Sequence, residues 1–121
     1  MTRFRLARRA QADISHILAA SAEKWGVEAA RRYAGLLTCA IRWVATEPDG
    51  RATRERAELA PGLRSLHVRY LRQDDPSERV RRPVHVLYYR LPQPGLIEIL
   101  RILHERMEPS RHLSTAPEDE E

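Results

Sequence analysis

A histidine, a glutamate and an arginine stand close together in the run Glu98-Ile99-Leu100-Arg101-Ile102-Leu103-His104-Glu105-Arg106-Met107-Glu108-Pro109. Arg64, Arg90, Tyr88 and Tyr89 lie on other segments that read as strands. Side chains of these types could cleave RNA. That reaction needs a base to activate the 2′-hydroxyl, cations to stabilise the charged phosphorane and an acid to protonate the leaving oxygen. His104 is the sharpest candidate, because a histidine titrates near neutrality. Arg101 and Arg90 would be its cations, if the chain were a nuclease. The same side chains could instead contact a protein partner.

Arg101 sits between Leu100 and Ile102 in an apolar strand. Its guanidinium must therefore emerge on a solvent face or pair with an acid. Glu98, Glu105 and the acidic loop are the candidate acids; a sheet surface that meets a partner is the alternative. His16 falls on a helical stretch, while His67 and His85 fall on strands at exposed or rim positions. All three are expected to be structural or solvated. Histidine, cysteine and carboxylate spacing fits no metal site, so neither a metal nor a cofactor is expected. Gly-rich phosphate loops and Gly-x-Ser-x-Gly turns are absent from the sequence. Trp25, Tyr33 and Trp43 read as core or hairpin-packing aromatics. Trp43 lies off its helical stripe, so it covers the helix–sheet edge or stands exposed as a binding anchor.

The chain has 121 residues, which suits one domain with one core. Its formal net charge is +4, and removing the terminal Glu118, Asp119, Glu120 and Glu121 raises it to +8. Of 21 basic residues only Lys24 is a lysine. Arginine binds phosphate and carboxylate bidentately, so a nucleic acid and an acidic protein both fit as partners. The single cysteine, Cys39, excludes an internal disulfide and is expected to be a small buried residue of a helix. No N-terminal apolar run is long enough for a signal peptide or a membrane span, so a cytoplasmic location away from membranes is expected.

The elements follow from periodicity. Phe4 and Leu6 alternate with Arg3 and Arg5, as in a short edge strand. Ala10, Ile14, Ile17, Leu18, Ser21 and Trp25 mark one face of a helix that Gly26 ends. Ala30, Tyr33, Ala34, Leu37, Ala40, Ile41 and Val44 mark a second, ended by Glu47-Pro48-Asp49-Gly50. The two should form an antiparallel hairpin. Residues 49–62 read as a loop, and Arg64, Leu66, Val68 and Tyr70 as one face of a strand. Residues 72–83 read as an extended hairpin loop, Val84 to Leu91 as a strand, Pro92-Gln93-Pro94-Gly95 as a turn and Leu96 to Leu103 as a central strand. Pro109 to Leu113 adds a helical turn, and 114–121 is expected to be a disordered acidic tail. The order β-α-α-β-β-β is α+β, with the helical hairpin packed on an antiparallel sheet.

The phrases Ala7-Arg8-Arg9-Ala10-Gln11-Ala12-Asp13-Ile14, Trp25-Gly26, Glu47-Pro48, Pro61-Gly62-Leu63-Arg64-Ser65, Tyr88-Tyr89-Arg90, Ile99-Leu100-Arg101-Ile102-Leu103-His104 and Arg111-His112-Leu113 occur in that order. In order and spacing they resemble the ParE branch of the RelE/ParE toxins of type II toxin–antitoxin pairs, over about residues 3–113. Two departures stand out. Ala7 occupies a position where members often carry a capping serine or threonine, and the 72–83 loop is longer than in the shortest members; it reads as an insertion rather than a specificity loop.

The resemblance implies a toxin that poisons DNA gyrase by protein contact, without catalysis of its own, and that a ParD-like antitoxin silences. The other branch of the superfamily, ribosome-dependent messenger-RNA endonucleases, is the alternative. A third possibility is a retired toxin that still binds its antitoxin. Expected partner contacts are Arg64, Arg90, Arg101, His104, Arg106 and Trp43. Direct sequence-specific DNA binding by the toxin alone is not expected.

Overall fold

Apolar side chains recurring every three or four residues build the two helices that the sequence predicts. In the computed structural model, which describes residues 3–113, helix α1 runs Arg8–Trp25 and helix α2 runs Val27–Thr46. Gly26 joins them with a φ of 97°, where a side chain would be strained. α1 buries Ala10 and lays Ile14, Ile17 and Leu18 on the core; α2 buries Tyr33, Leu37, Ala40, Ile41 and Val44. Ala7 is the N-cap of α1 and makes no side-chain cap bond.

The strands are β1 Arg3–Leu6, β2 Thr53–Glu55, β3 Arg64–His67, β4 His85–Gln93 and β5 Leu96–His104. They form one sheet in the order β1-β5-β4-β3-β2. From β2 to β5 every neighbouring pair is antiparallel, but β1 lies parallel to β5, with Arg3 opposite Leu96 and Leu6 opposite Ile99. The sheet is therefore mixed, where the sequence predicts an antiparallel one. β1 connects to the rest only through the two helices, and such a crossover permits the parallel pairing that a tight hairpin forbids.

Other expectations are corrected locally. The 49–62 loop contains β2, which pairs Thr53 with Leu66. β3 stops at His67, and Val68–Tyr70 tightens into a 3-10 turn that buries Val68 and exposes Tyr70. Trp25 is 69% exposed, because it ends α1 beyond the reach of the sheet; the Lys24 ammonium lies 5.2 Å from its ring. Cys39 is exposed, since Leu37, Ala40 and Ile41 occupy the inward face of α2. The 72–83 loop is tied down: Gln73 exchanges two hydrogen bonds with the Val80 backbone, and Glu78 takes both terminal nitrogens of Arg31 at 2.8 Å. The expected tail at 114–121 lies outside the described residues.

The main core lies between the helices and one sheet face, where Leu66, Leu87, Tyr89, Ile97, Ile99 and Ile102 are buried. A smaller cluster of Leu63, Tyr88 and Leu103 covers the opposite face, with Leu59, Ala60 and Leu113 packed on it. A 3-10 turn at Pro109–Arg111 brings Leu113 there.

Candidate functional site

A bulge in β5 decides where Arg101 goes. Tyr89 pairs with Ile99 and Tyr88 with Arg101, so Leu100 is the extra residue. Strict alternation would put Arg101 on the face of Ile97 and Ile99, under the helices. The bulge moves it to the opposite face and gives Ile102 the core position instead.

β1 stops pairing at Ile99, so β5 has an open edge beyond it. Asp13 of α1 closes that edge. Its Oδ2 accepts from the Ile102 N–H at 2.9 Å and from Arg101 Nε at 2.8 Å, while Oδ1 accepts from Arg101 Nη2 at 2.9 Å. Arg101 Nη1 donates to the His112 carbonyl at 2.8 Å. The Arg101 and Asp13 side chains are only 18% and 13% exposed. The fork thus joins α1, β5 and the C-terminal turn. The acid partner is Asp13, not the expected Glu98 or Glu105.

Glu98 has other partners. One carboxylate oxygen accepts from Arg5 Nε at 3.1 Å and the other from Arg90 Nε at 2.8 Å. Both arginines remain partly exposed, so solvent screens this bridge. Arg90 also lines a cleft of about 230 Å³ on the second sheet face, otherwise walled by Leu59, Pro61, Leu63, Leu100 and Leu113, with Ala60.

Arg64 is committed to the turn after α2. Its Nε donates to the Pro48 carbonyl at 3.0 Å and its Nη2 to Thr53 Oγ1 at 2.7 Å. The Tyr89 hydroxyl donates to the same Pro48 carbonyl, and burial pushes its pKa above the ordinary tyrosine value. Trp43 is half-buried against this corner, on the main core and beside Gly50.

The sheet ends opposite, at three histidines. His85 and His104 pair across β4 and β5 with rings 5.6 Å apart. His67 Nε2 lies 2.7 Å from Glu105, a hydrogen bond that holds the Glu105 carboxyl below its usual range. His67 Nδ1 accepts from the Arg69 N–H, and His104 Nδ1 from the Arg106 N–H. Tyr33 accepts from the Val84 N–H at 3.2 Å, which leaves its own proton for His85 Nδ1 at 2.5 Å. His85 is half-buried; burial first, and then the neighbouring His104 and His67, lower its pKa to about 4.

The expected site residues thus fall in four places. Arg64 and Trp43 share the α2–β2 corner, Arg90 sits on the second face, Arg101 closes the β5 edge, and His104 with Arg106 ends the sheet. Sequence reasoning missed Asp13 as an edge cap and Tyr33 as the partner of His85. The phrase Ala12-Asp13-Ile14 held a signal, since an acid beside an inward isoleucine lies next to the core face. Among the described residues, no group of His, Cys, Asp or Glu is arranged to hold a metal ion. None of the described helices is long and apolar enough to cross a membrane.

Known proteins resemble this chain in sequence and fold. The family described as ParE toxin of type II toxin-antitoxin system, parDE, matches residues 4–109. Toxin ParE1 of Mycobacterium tuberculosis is 32% identical over 112 residues, covering 93% of this chain and 98% of that protein. Toxin ParE1 of Caulobacter vibrioides is 34% identical over 114 residues, covering 93% and 99%. A solved structure described as the chromosomal ParDE TA system from P. aeruginosa superposes with a TM-score of 0.63 at 21% identity, covering 86% of this chain and 96% of that one. Fold and matches define a toxin of a toxin–antitoxin system. The chain belongs to the ParE toxin family.

Proposed function

We propose that this toxin inhibits DNA gyrase by protein contact and is neutralised by a cognate ParD-like antitoxin, both in the cytoplasm. The family match across residues 4–109 carries this reading. The geometry favours it over RNA cleavage. Arg101 is spent on Asp13 and Arg90 on Glu98, while His104 stands apart at the end of β5 with its Nδ1 accepting from the Arg106 N–H. A nuclease needs such groups converging on one phosphate.

Arg90, His104 and Arg106 are the proposed direct contacts with partners. Arg64, Arg101 and Trp43 act by holding the corner and edge that a partner meets. An acidic, amphipathic antitoxin segment that folds on binding suits the second-face cleft beside Arg90, and the basic body steers its approach.

The test adds purified toxin to gyrase supercoiling of plasmid DNA and, separately, to translating ribosomes. Blocked supercoiling or trapped cleaved DNA, with intact messenger RNA, is expected. Codon-positioned RNA cuts with normal supercoiling would establish the endonuclease instead. Expression without antitoxin should arrest growth; an unharmed culture identifies a retired toxin.

A further inference from the structure

One end of the sheet carries cations that the fold does not use. β3 ends there at His67, β4 begins at His85 and β5 ends at His104. Around them Arg69, Tyr70, Arg81, Arg82 and Arg106 are all exposed. Three carboxylates of this end are already paired with basic groups. Asp74 pairs with Arg72 at 2.6 Å, Glu78 with Arg31 at 2.8 Å and Glu105 with His67 at 2.7 Å. Asp75 and Glu108 accept from the N–H and hydroxyl groups of Ser77 and Ser110 and keep their charge, so they offset part of the basic excess. By contrast, Arg81, Arg82 and Arg106 form no ion pair among the described residues. Tyr70 is 56% exposed, with the Arg69 guanidinium 4.9 Å from its ring centroid.

The cationic excess is local. At the C-terminal end of α2, Arg42 and Arg51 are just as exposed, but Glu47 and Asp49 stand exposed among them. His85 meets α2 at Tyr33, and Arg42 lies nine residues further along that helix, about 14 Å at the rise of an α-helix.

We infer that the His67–His85–His104 end of the sheet binds the phosphodiester backbone of a nucleic acid, without reading its sequence. Guanidinium forks match phosphate oxygens bidentately. An exposed ring beside an arginine is a stacking face for a base, which a glutamate side chain cannot use. That ring favours a nucleic acid over an acidic peptide at this end. The gyrase reading bears only on the source, DNA already held by the enzyme; the binding itself requires no gyrase.

The experiment is fluorescence anisotropy of labelled duplex and single-stranded oligonucleotides, with full-length toxin and no gyrase, across a salt series. Affinity should fall linearly in log–log form with salt. R81A/R82A/R106A should reduce the duplex slope by about 2–3, at roughly 0.9 per phosphate contact. R42A/R51A removes two charges from the C-terminal end of α2 and should change the slope by less than about 1. Y70A should weaken single-strand binding about tenfold and leave duplex binding near wild type. Circular dichroism checks that each variant folds. No binding at roughly 50 mM salt, where phosphate contacts are strongest, would overturn the inference. So would equal slope losses per charge removed in the two variants, or displacement by poly-glutamate as effective as by nucleic acid of equal charge. Supercoiling assays separate the two readings. Blocked supercoiling by toxin that binds no DNA overturns only the DNA contact. DNA binding with untouched supercoiling supports it and overturns only the gyrase reading.

Discussion

Replacing Asp13 by alanine should be among the most damaging single changes in this protein. The carboxylate accepts hydrogen bonds from Arg101 Nε at 2.8 Å, Arg101 Nη2 at 2.9 Å and the Ile102 N–H at 2.9 Å. Ile102 is 2% exposed, so water cannot reach its amide easily. An unsatisfied buried donor costs about 1–3 kcal/mol. Breaking a buried ion pair from one side costs about 3–5 kcal/mol, and the residual exposure of Arg101 places this pair at the lower end. The two losses share one carboxylate and do not add, so we expect about 3–4 kcal/mol in total. D13N keeps one acceptor oxygen and should cost about 2 kcal/mol. Urea unfolding followed by circular dichroism reads this directly. With an m-value near 2 kcal/mol/M, the D13A midpoint should fall by about 1.5–2 M. The D13A/R101A cycle should show a coupling of about 1.5–3 kcal/mol. A D13A loss under about 1 kcal/mol, or single effects that add within about 0.5 kcal/mol, would refute the edge-cap argument.

Other changes probe the remaining sites. In the fold, burial and the neighbouring histidines hold His85 at a pKa of about 4, below the ordinary 6.5. The unfolded chain therefore takes up a proton that the fold refuses, so stability is full above about pH 6.5 and declines as pH drops toward 4. The shift corresponds to about 3 kcal/mol at most, reduced to about 1–2 by solvent around a half-buried ring; H85L should flatten urea midpoints over that window. Y33F removes the acceptor of the Val84 N–H and the donor to His85. It should cost about 1–2 kcal/mol in the same assay, and, by letting folded His85 take its proton more readily, make the acid decline shallower and end it at higher pH; an unchanged pH profile counts against the Tyr33–His85 bond. A Cβ at Gly50 would lie 3.0 Å from Trp43 Cη2 and 3.2 Å from the Glu47 carbonyl. G50A should cost about 1–3 kcal/mol by overpacking and shift tryptophan fluorescence; a silent substitution would show that Trp43 is free to move.

Local pattern carried most of the architecture, and particular residues show how far it reached. Ile14, Ile17 and Leu18 recur at helical spacing, and they lie on the core. Gly26 punctuates the hairpin because its φ of 97° suits no side chain. The apolar run from Leu96 lies inside the sheet because every face of it meets other chain. Such features depend on residues a few positions apart, so sequence alone determined them, together with the arginine-rich charge and the order of phrases that mark the ParE family. Tertiary structure decided the rest. The parallel seat of β1 joins residues more than ninety positions apart. The Leu100 bulge breaks a clean alternation and turns Arg101 out of the core; Asp13, 88 positions away, then receives it. His67, His85 and His104 look like scattered rim residues until three strands end together. Periodicity reports only which face of its own element a side chain occupies; which charges meet depends on strand order and register, and those are set by the packing of the whole chain.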